Sequence, residues 1–275
     1  MIYDDTTCTL GEGPLWHPQR QQFFWFDILE KRLHTKGHHW QFDEYVSAAG
    51  WVDDTTLMIA SSKQLMRFDL ETGAQKKLCD LEANNPVTRS NDGRADPQGG
   101  FWIGTMGINA EPQAGAIYRY YKGELRKLVA DVTISNAICF APDGQAAFYV
   151  DTEVGKIMKW QLGSDGWPDG VAEVHLDLSG ERFGVDGAVV DATGNLWNAQ
   201  WGAGRVAQYA PDGSLLQTVS FPATQTSCPA FGGKDLKTLY CTSAATDLDP
   251  AGTDDGKTFC VTTDTAGQTE HQVLL

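Results

Sequence analysis

Six short words of aromatic and aliphatic residues recur along this chain and constrain its fold more than any other feature. They are Phe24-Trp25-Phe26-Asp27, Leu57-Met58-Ile59-Ala60, Phe101-Trp102-Ile103-Gly104, Phe148-Tyr149-Val150-Asp151, Leu196-Trp197-Asn198-Ala199 and Leu239-Tyr240-Cys241-Thr242. Their second residues lie 33, 44, 47, 48 and 43 positions apart. Most follow a turn signal such as Asp96-Pro97-Gln98-Gly99-Gly100, Pro142-Asp143-Gly144 or Asp191-Ala192-Thr193-Gly194-Asn195, where Asp and Asn bond the local backbone and Gly supplies positive φ. Most precede a second strand-like run, such as Ala116-Ile117-Tyr118-Arg119 or Arg205-Val206-Ala207-Gln208. No long 3.6-residue periodicity survives between the glycines and prolines. A β-only period in the low forties is the signature of propeller blades. The expectation is an all-β chain: one domain over residues 1–275, a six-bladed β-propeller of four-stranded antiparallel blades around a central channel. A sandwich or solenoid rarely keeps so long and regular a spacing.

In a propeller, equivalent repeat positions form a ring around the axis, so the register can be searched for shared polar residues. Glu12, Arg89 and Asn136 each stand 13 positions before their aromatic marker, and Asn91 and Asp186 stand 11 before theirs. Ser47 and Ser227 fill the matching places in the other two repeats. The local words are alike: Gly11-Glu12-Gly13-Pro14, Arg89-Ser90-Asn91-Asp92-Gly93, Ser135-Asn136-Ala137 and Val185-Asp186-Gly187. Taken singly, each residue reads as a turn residue capping a strand end. Taken together, in shared register, they read as a polar ring where the inner strands begin.

Such a ring suits a cation. Glu12, Asn136 and Asp186 offer oxygen only, which fits Ca²⁺, Mg²⁺ or Mn²⁺, and carboxylates also accept Zn²⁺ or Fe²⁺. Three protein ligands leave room for water and substrate, as a catalytic site requires. Two buried carboxylates without a cation would repel, and one would take up a proton. Arg89 offsets part of that charge and presents forked donors to an oxyanion or to hydroxyls.

At these words the chain resembles the family of senescence marker protein-30, gluconolactonase and luciferin-regenerating enzyme. The likeness runs from Gly11-Glu12-Gly13-Pro14-Leu15-Trp16 to Thr226-Ser227-Cys228 and Phe231-Gly232-Gly233. It is most specific from Ser90-Asn91-Asp92-Gly93-Arg94 through Gly104-Thr105-Met106, at Ile134-Ser135-Asn136, and from Asp186-Gly187 through Asn195-Leu196-Trp197. The resemblance implies a six-bladed propeller with one divalent metal in its channel, held by Glu12, Asn136 and Asp186. It implies substrate contacts from Arg89 and Asn91, with Asp186 as general base, in the hydrolysis of a sugar lactone to its aldonic acid. It also implies a substrate-contacting Glu after the Gly-Thr-Met word. Glu111 is the candidate, on a short loop from Gly107 to Gly115. Two positions depart from the family pattern: Ala137 replaces its usual Gly, and Val185 stands where Pro often precedes the Asp.

The implied chemistry is metal-assisted lactone hydrolysis, of a gluconolactone or a pentonolactone such as xylono- or arabinonolactone. An ester or organophosphate on the same site is the variant reading. A non-catalytic binding propeller is the reading from another class, and it has no use for acids in shared register. Other signals are weaker. There is no Gly-x-Ser-x-Gly elbow and no His-Glu-x-x-His helix. The six histidines lack ligand spacing; His38-His39 is expected in an exposed turn, and Asp247 through Gly256 as a solvated acidic loop. A formal charge of −15 argues against nucleic acid and anionic membrane surfaces. No apolar run approaches the ~20 residues of a membrane span. Six cysteines without a CxxC pair read as reduced, buried thiols in a cytoplasmic protein.

Overall fold

The computed structural model describes all 275 residues, and every regular element in it is a β-strand. No helix is long and apolar enough to cross a membrane. Each aromatic or aliphatic marker sits in the second strand of a four-stranded antiparallel ladder. Trp25 lies in Gln22–Asp27, Met58 in Thr56–Ser61, Trp102 in Phe101–Gly107, Tyr149 in Ala146–Asp151, Trp197 in Leu196–Trp201 and Tyr240 in Thr238–Ala244.

Four ladders are separate four-stranded sheets, entered through Gly11–His17, Val46–Trp51, Thr88–Ala95 and Ser135–Phe140. The remaining strands form one eight-stranded sheet. Within it, Gly184–Val190 leads one ladder and Gln225–Gly232 leads the next, and the single pair Trp201–Gln225 joins them. The amino-terminal strand Ile2–Asp4 pairs with Thr258–Thr262, so the two ends of the chain complete one ladder. The six leading strands pack each against the next, and the last against the first. The result is an all-β, propeller-like ring with these strands innermost.

Apolar residues fill the spaces between neighbouring ladders. Phe24, Phe26, Leu57 and Ile59 pack between the first and second. Trp102, Ile117, Ile138 and Phe140 do so between the third and fourth, and Trp197, Phe231 and Leu239 further round the ring. Trp25, Trp102 and Trp197 are fully buried. Each removes about 150–250 Å² from water, worth about 4–6 kcal/mol before conformational entropy is subtracted. Turn aspartates act as the spacing predicts: Asp96 accepts the N–H groups of Gln98 and Gly100, and Asp191 those of Thr193 and Asn195. All six cysteines are unpaired.

Each innermost strand carries a register shift near its start: between Glu12 and Leu15, Val46 and Ala48, Ser90 and Gly93, Asn136 and Cys139, Val185 and Ala188, and Thr226 and Pro229. A bulge re-aims side chains that regular pleating would alternate. At Gly13 the backbone takes φ +52°, and a Cβ there would stand 2.0 Å from the Ser47 carbonyl oxygen, so only glycine fits. Ser47 bonds Ser90 and the Asn91 carbonyl, and Ser227 bonds the Gly11 carbonyl and Thr242. These two serines knit neighbouring inner strands together.

The carboxy-terminal tail crosses the far ends of those strands. Gln268 donates to the carbonyls of Phe140 and Val190, Val273 N–H to Trp51 and Leu274 N–H to Gly99. Glu270 pairs with buried Arg94. Repeat periodicity carries no sign of this tail. One expectation needs correction. His38-His39 opens a fourth strand, His38–Gln41, rather than forming a turn, although both rings are exposed. The acidic segment is a largely exposed loop, as expected, anchored at its end where buried Asp255 accepts the N–H groups of Thr224 and Gly252.

Candidate active site

The bulges bring five of the six expected side chains together at the starting ends of the inner strands. Glu12, Arg89, Asn91, Asn136 and Asp186 come from four different strands, and none is more than 6% exposed. Arg89 Nη1 donates to Asn91 Oδ1 at 2.8 Å, and Asn91 Nδ2 donates to Asn136 Oδ1 at 3.1 Å and to the Ser135 carbonyl at 2.9 Å. Asn136 Nδ2 in turn donates to Thr152 Oγ1 at 2.9 Å, while that hydroxyl donates to the Val185 carbonyl at 2.7 Å. Thr152 therefore sets the amide orientation: Nδ2 faces the hydroxyl and Oδ1 faces Asn91.

Ala137, next to Asn136, takes φ +57°. That left-handed conformation costs a non-glycine residue about 1–2 kcal/mol. The departure from glycine noted above thus leaves the backbone path intact at a cost in strain. The neighbouring carboxylate Asp92 holds this turn, its Oδ2 accepting the Ile138 N–H at 2.7 Å.

Burial dominates the electrostatics. It pushes Glu12 up to about 8, and the charge of Asp92 adds to the rise, while the Gly13 N–H and Arg89 oppose it. Burial also raises Asp92 to about 6. Asp186 is raised well above the usual carboxylate range, first by burial and then by the charges of Glu12 and Asp92. Arg89 falls to about 10 on burial, against the pull of Glu12, Tyr45 and Asp186. Three buried carboxylates thus feel one another's charge, offset only in part by Arg89 beside Glu12 and Asp186 and by Arg94 beside Asp92, and each resists ionising. A divalent cation would reverse that resistance by compensating the charge.

The donor set fits such an ion. No side chain donates a hydrogen bond to the carboxylates of Glu12 or Asp186, and the only donor to Glu12 is the adjacent Gly13 N–H at 3.0 Å. Their oxygens are therefore free for a metal, beside the oxygen of an amide already oriented by Thr152. Arg89 Nε is buried without any partner. That is a costly state for a cationic donor unless an incoming oxygen meets it.

Glu111 is not part of this group. It lies on its own loop, where its carboxylate accepts from the N–H and side-chain amide of Asn109 at 3.0 and 2.9 Å. Those bonds hold its carboxyl below the usual range. Two residues of the group escape sequence reasoning. Asp92 stands inside a word already singled out, so its position carries a signal. Thr152 has none, because it reaches Asn136 from the strand end that follows a marker.

Comparison with known proteins places the chain in context. The family model for the SMP-30/Gluconolactonase/LRE-like region matches residues 10–245. The L-arabinolactonase of Azospirillum brasilense is 36% identical over 282 residues, covering 96% of this chain and 91% of that one. The 6-deoxy-6-sulfogluconolactonase of Pseudomonas putida is 31% identical over 242 residues, covering 86% and 83%. Among solved structures, the calcium-binding protein regucalcin of Agrobacterium tumefaciens superposes with a TM-score of 0.97 at 41% identity, covering 100% of this chain and 97% of that one.

Proposed function

The chain belongs to the SMP-30/gluconolactonase/LRE-like family, and from that premise we propose that it is a lactone hydrolase that opens a sugar lactone to its aldonic acid. The observation that carries this reading is the convergence of two buried carboxylates without side-chain partners, Glu12 and Asp186, on Asn136 and on an Arg89 with an unpartnered Nε. A non-catalytic binding propeller gives no reason to bury that arrangement. We read the eight-stranded sheet as two blades bridged by one residue pair, which makes the chain a single six-bladed domain over residues 1–275. Unpaired cysteines fit a reducing compartment such as the cytoplasm.

Glu12, Asn136 and Asp186 would hold one divalent ion. Bound there, it would act as a Lewis acid toward the lactone carbonyl and stabilise the developing oxyanion. The protein's own groups supply the rest. Asp186 would accept a proton from the water that attacks the carbonyl carbon. The ring C–O bond then breaks, and the ring oxygen leaves as a hydroxyl carrying a returned proton. Arg89 would offer its remaining N–H groups to sugar oxygens, and Asn91, bonded to both Arg89 and Asn136, ties the three side chains together. Glu111 would reach substrate from the rim only by giving up its bonds to Asn109.

The carboxylates and the Asn136 oxygen suit calcium, and zinc, manganese, iron and magnesium are also compatible. Relatives named for an arabinolactone and for a sulfogluconolactone support both five- and six-carbon substrates as members of the test panel. The test is acid release from gluconic, galactonic, xylonic and arabinonic lactones, with an aryl ester as control. It is run before chelation, after it, and after return of each divalent ion. Turnover of at least one lactone that is lost and regained with metal is the expected result. Failure to open any lactone on the panel overturns the reading.

A further inference from the structure

Away from the channel, where the amino-terminal segment crosses the first ladder, Cys8, Asp27 and His34 place a sulphur, a carboxylate oxygen and an imidazole nitrogen within 4.8 Å of one another. They come from three segments: the stretch before the first inner strand, the end of Gln22–Asp27, and Arg32–Thr35. Their exposures are 0%, 2% and 5%. Their spacing of 19 and 7 residues matches no metal motif, which is why the histidines look unremarkable in the sequence.

All three are held in place. Cys8 N–H donates to the Gly256 carbonyl at 2.9 Å. Asp27 accepts the N–H groups of Thr9 at 2.8 Å and Leu10 at 3.1 Å. The His34 ring stacks on Trp25, centroids 5.5 Å apart and planes 13° from parallel. Buried His34 Nε2 has no partner, and the buried Trp25 N–H has only the Cys8 sulphur beside it. Buried polar groups left unmatched are rare and call for an explanation.

Asp27 alone could be a turn cap, and the fourth ladder shows what a cap needs. There Asp151 accepts the N–H groups of Thr133 and Ile134 at 2.8 and 3.0 Å, the same two bonds three repeats later. The positions that correspond to Cys8 and His34 are Val132, which precedes Thr133, and Met158, which pairs with Tyr149 as His34 pairs with Trp25. An apolar pair serves there. Capping therefore accounts for the aspartate and leaves the thiol and imidazole unexplained.

We propose that Cys8, Asp27 and His34 form a second divalent-metal site of the zinc class, separate from the channel, with a water completing the fourth position; burial of all three ligands keeps substrate out, so its role is structural rather than catalytic. Sulphur, imidazole and carboxylate are the donors zinc prefers. Binding breaks the Cys8 S–H bond, releases that proton to solvent and forms the sulphur–metal bond. An imidazole nitrogen of His34 gains a metal partner, and the Trp25 N–H then faces a thiolate rather than a thiol. The ion ties the amino-terminal segment to the first ladder. That segment carries Ile2–Asp4, which closes the ring on Thr258–Thr262, and Tyr3 packs edge-on against Trp25 with centroids 6.2 Å apart.

The experiment titrates Co²⁺ into chelated full-length protein and follows thiolate-to-cobalt charge transfer in the near ultraviolet. One equivalent with that band is expected in the wild type and in a Glu12→Gln/Asp186→Asn double variant. The band is expected to disappear in Cys8→Ser and to bleach when Zn²⁺ displaces the cobalt. Zn²⁺ should raise the melting temperature of wild type more than that of His34→Gln, while lactone turnover of Cys8→Ser stays within about twofold, since the ion acts on closure and not on chemistry. Absence of the band in wild type overturns the proposal even if the variants fail to fold. So does a band that survives Cys8→Ser, or one that vanishes in the double variant.

Discussion

Asn136 Nδ2 donates to Thr152 Oγ1 at 2.9 Å, so a threonine 16 residues away decides which face of the amide meets the channel. The hydroxyl is itself oriented, because its own proton goes to the Val185 carbonyl, one residue before Asp186. Thr152 thus links the backbone beside one expected metal ligand to the side chain of another.

The first prediction follows from that link. Thr152→Val keeps the shape but removes acceptor and donor together. The Asn136 amide then keeps only the bond from Asn91, and metal affinity should fall by roughly 10- to 100-fold, the usual scale for losing a partner that orients a ligand. Thr152→Ser should restore most of it. Metal affinity measured by isothermal titration decides the point. If Thr152→Val binds metal as the wild type does, the amide needs no such support.

The second concerns Arg89. Arg89→Lys keeps the charge but loses the planar fork, the bond to Asn91 and the unpartnered Nε donor. A charge-assisted hydrogen bond is worth about 1.5–3 kcal/mol, so turnover on the best lactone should drop roughly 10- to 150-fold. Metal content should stay near that of wild type. Unchanged kinetics would give Arg89 a purely structural role.

How far the site could be read beforehand depends on whether a residue's role is local or tertiary. Trp25, Trp102 and Trp197 announce their strands because burial between ladders demands large apolar residues at one repeat position. Glu12, Arg89, Asn91, Asn136 and Asp186 are legible for a related reason: each bulge falls at the same repeat place and re-aims what stands there. Thr152 and the Arg94–Glu270 pair are not legible, since they join segments far apart in the chain with no period to betray them. Glu111 shows the converse limit. Its place after the Gly-Thr-Met word is plain, but the side chain's partner is Asn109, two residues away, and no pattern encodes that choice.

The third prediction is a pH dependence. A carboxyl whose folded pKa is raised binds more protons in the folded state than in the unfolded one between the two values. Stability therefore falls as pH rises through that interval. For Glu12 the interval runs from 4.5 to about 8, and for Asp92 from 3.8 to about 6. The melting temperature of the exhaustively chelated protein should fall steadily between these limits. Saturating divalent metal should flatten or reverse the slope, because an ion in the channel favours the ionised forms. Far-ultraviolet circular dichroism should hardly change on chelation, since the core lies between ladders and the ion touches only strand ends. A chelated protein whose melting temperature climbs from pH 5 to 8 would mean that these carboxyls are not protonated in the fold.

The fourth separates proton transfer from metal binding. Asp186→Asn retains an oxygen for a cation but cannot take a proton from water at neutral pH. If Asp186 is the base, turnover should fall by roughly 10²- to 10⁴-fold, and excess metal should not recover it. Glu12→Gln removes the same charge from the same cluster, with no proton assigned to it. Its loss should be one of metal affinity, and high metal concentrations should return much of the rate. The comparison is informative because the two carboxyls are alike in other respects: both are 5% exposed, and burial is the largest cause of the raised pKa in each. The measurement is turnover against metal concentration for both variants, with bound metal determined in parallel. Equal rescue of the two would reduce Asp186 to a ligand and leave the base to be sought elsewhere, with Asp92, the third buried carboxylate, the next group to replace. No loss in either would remove the inner-strand cluster from the chemistry altogether.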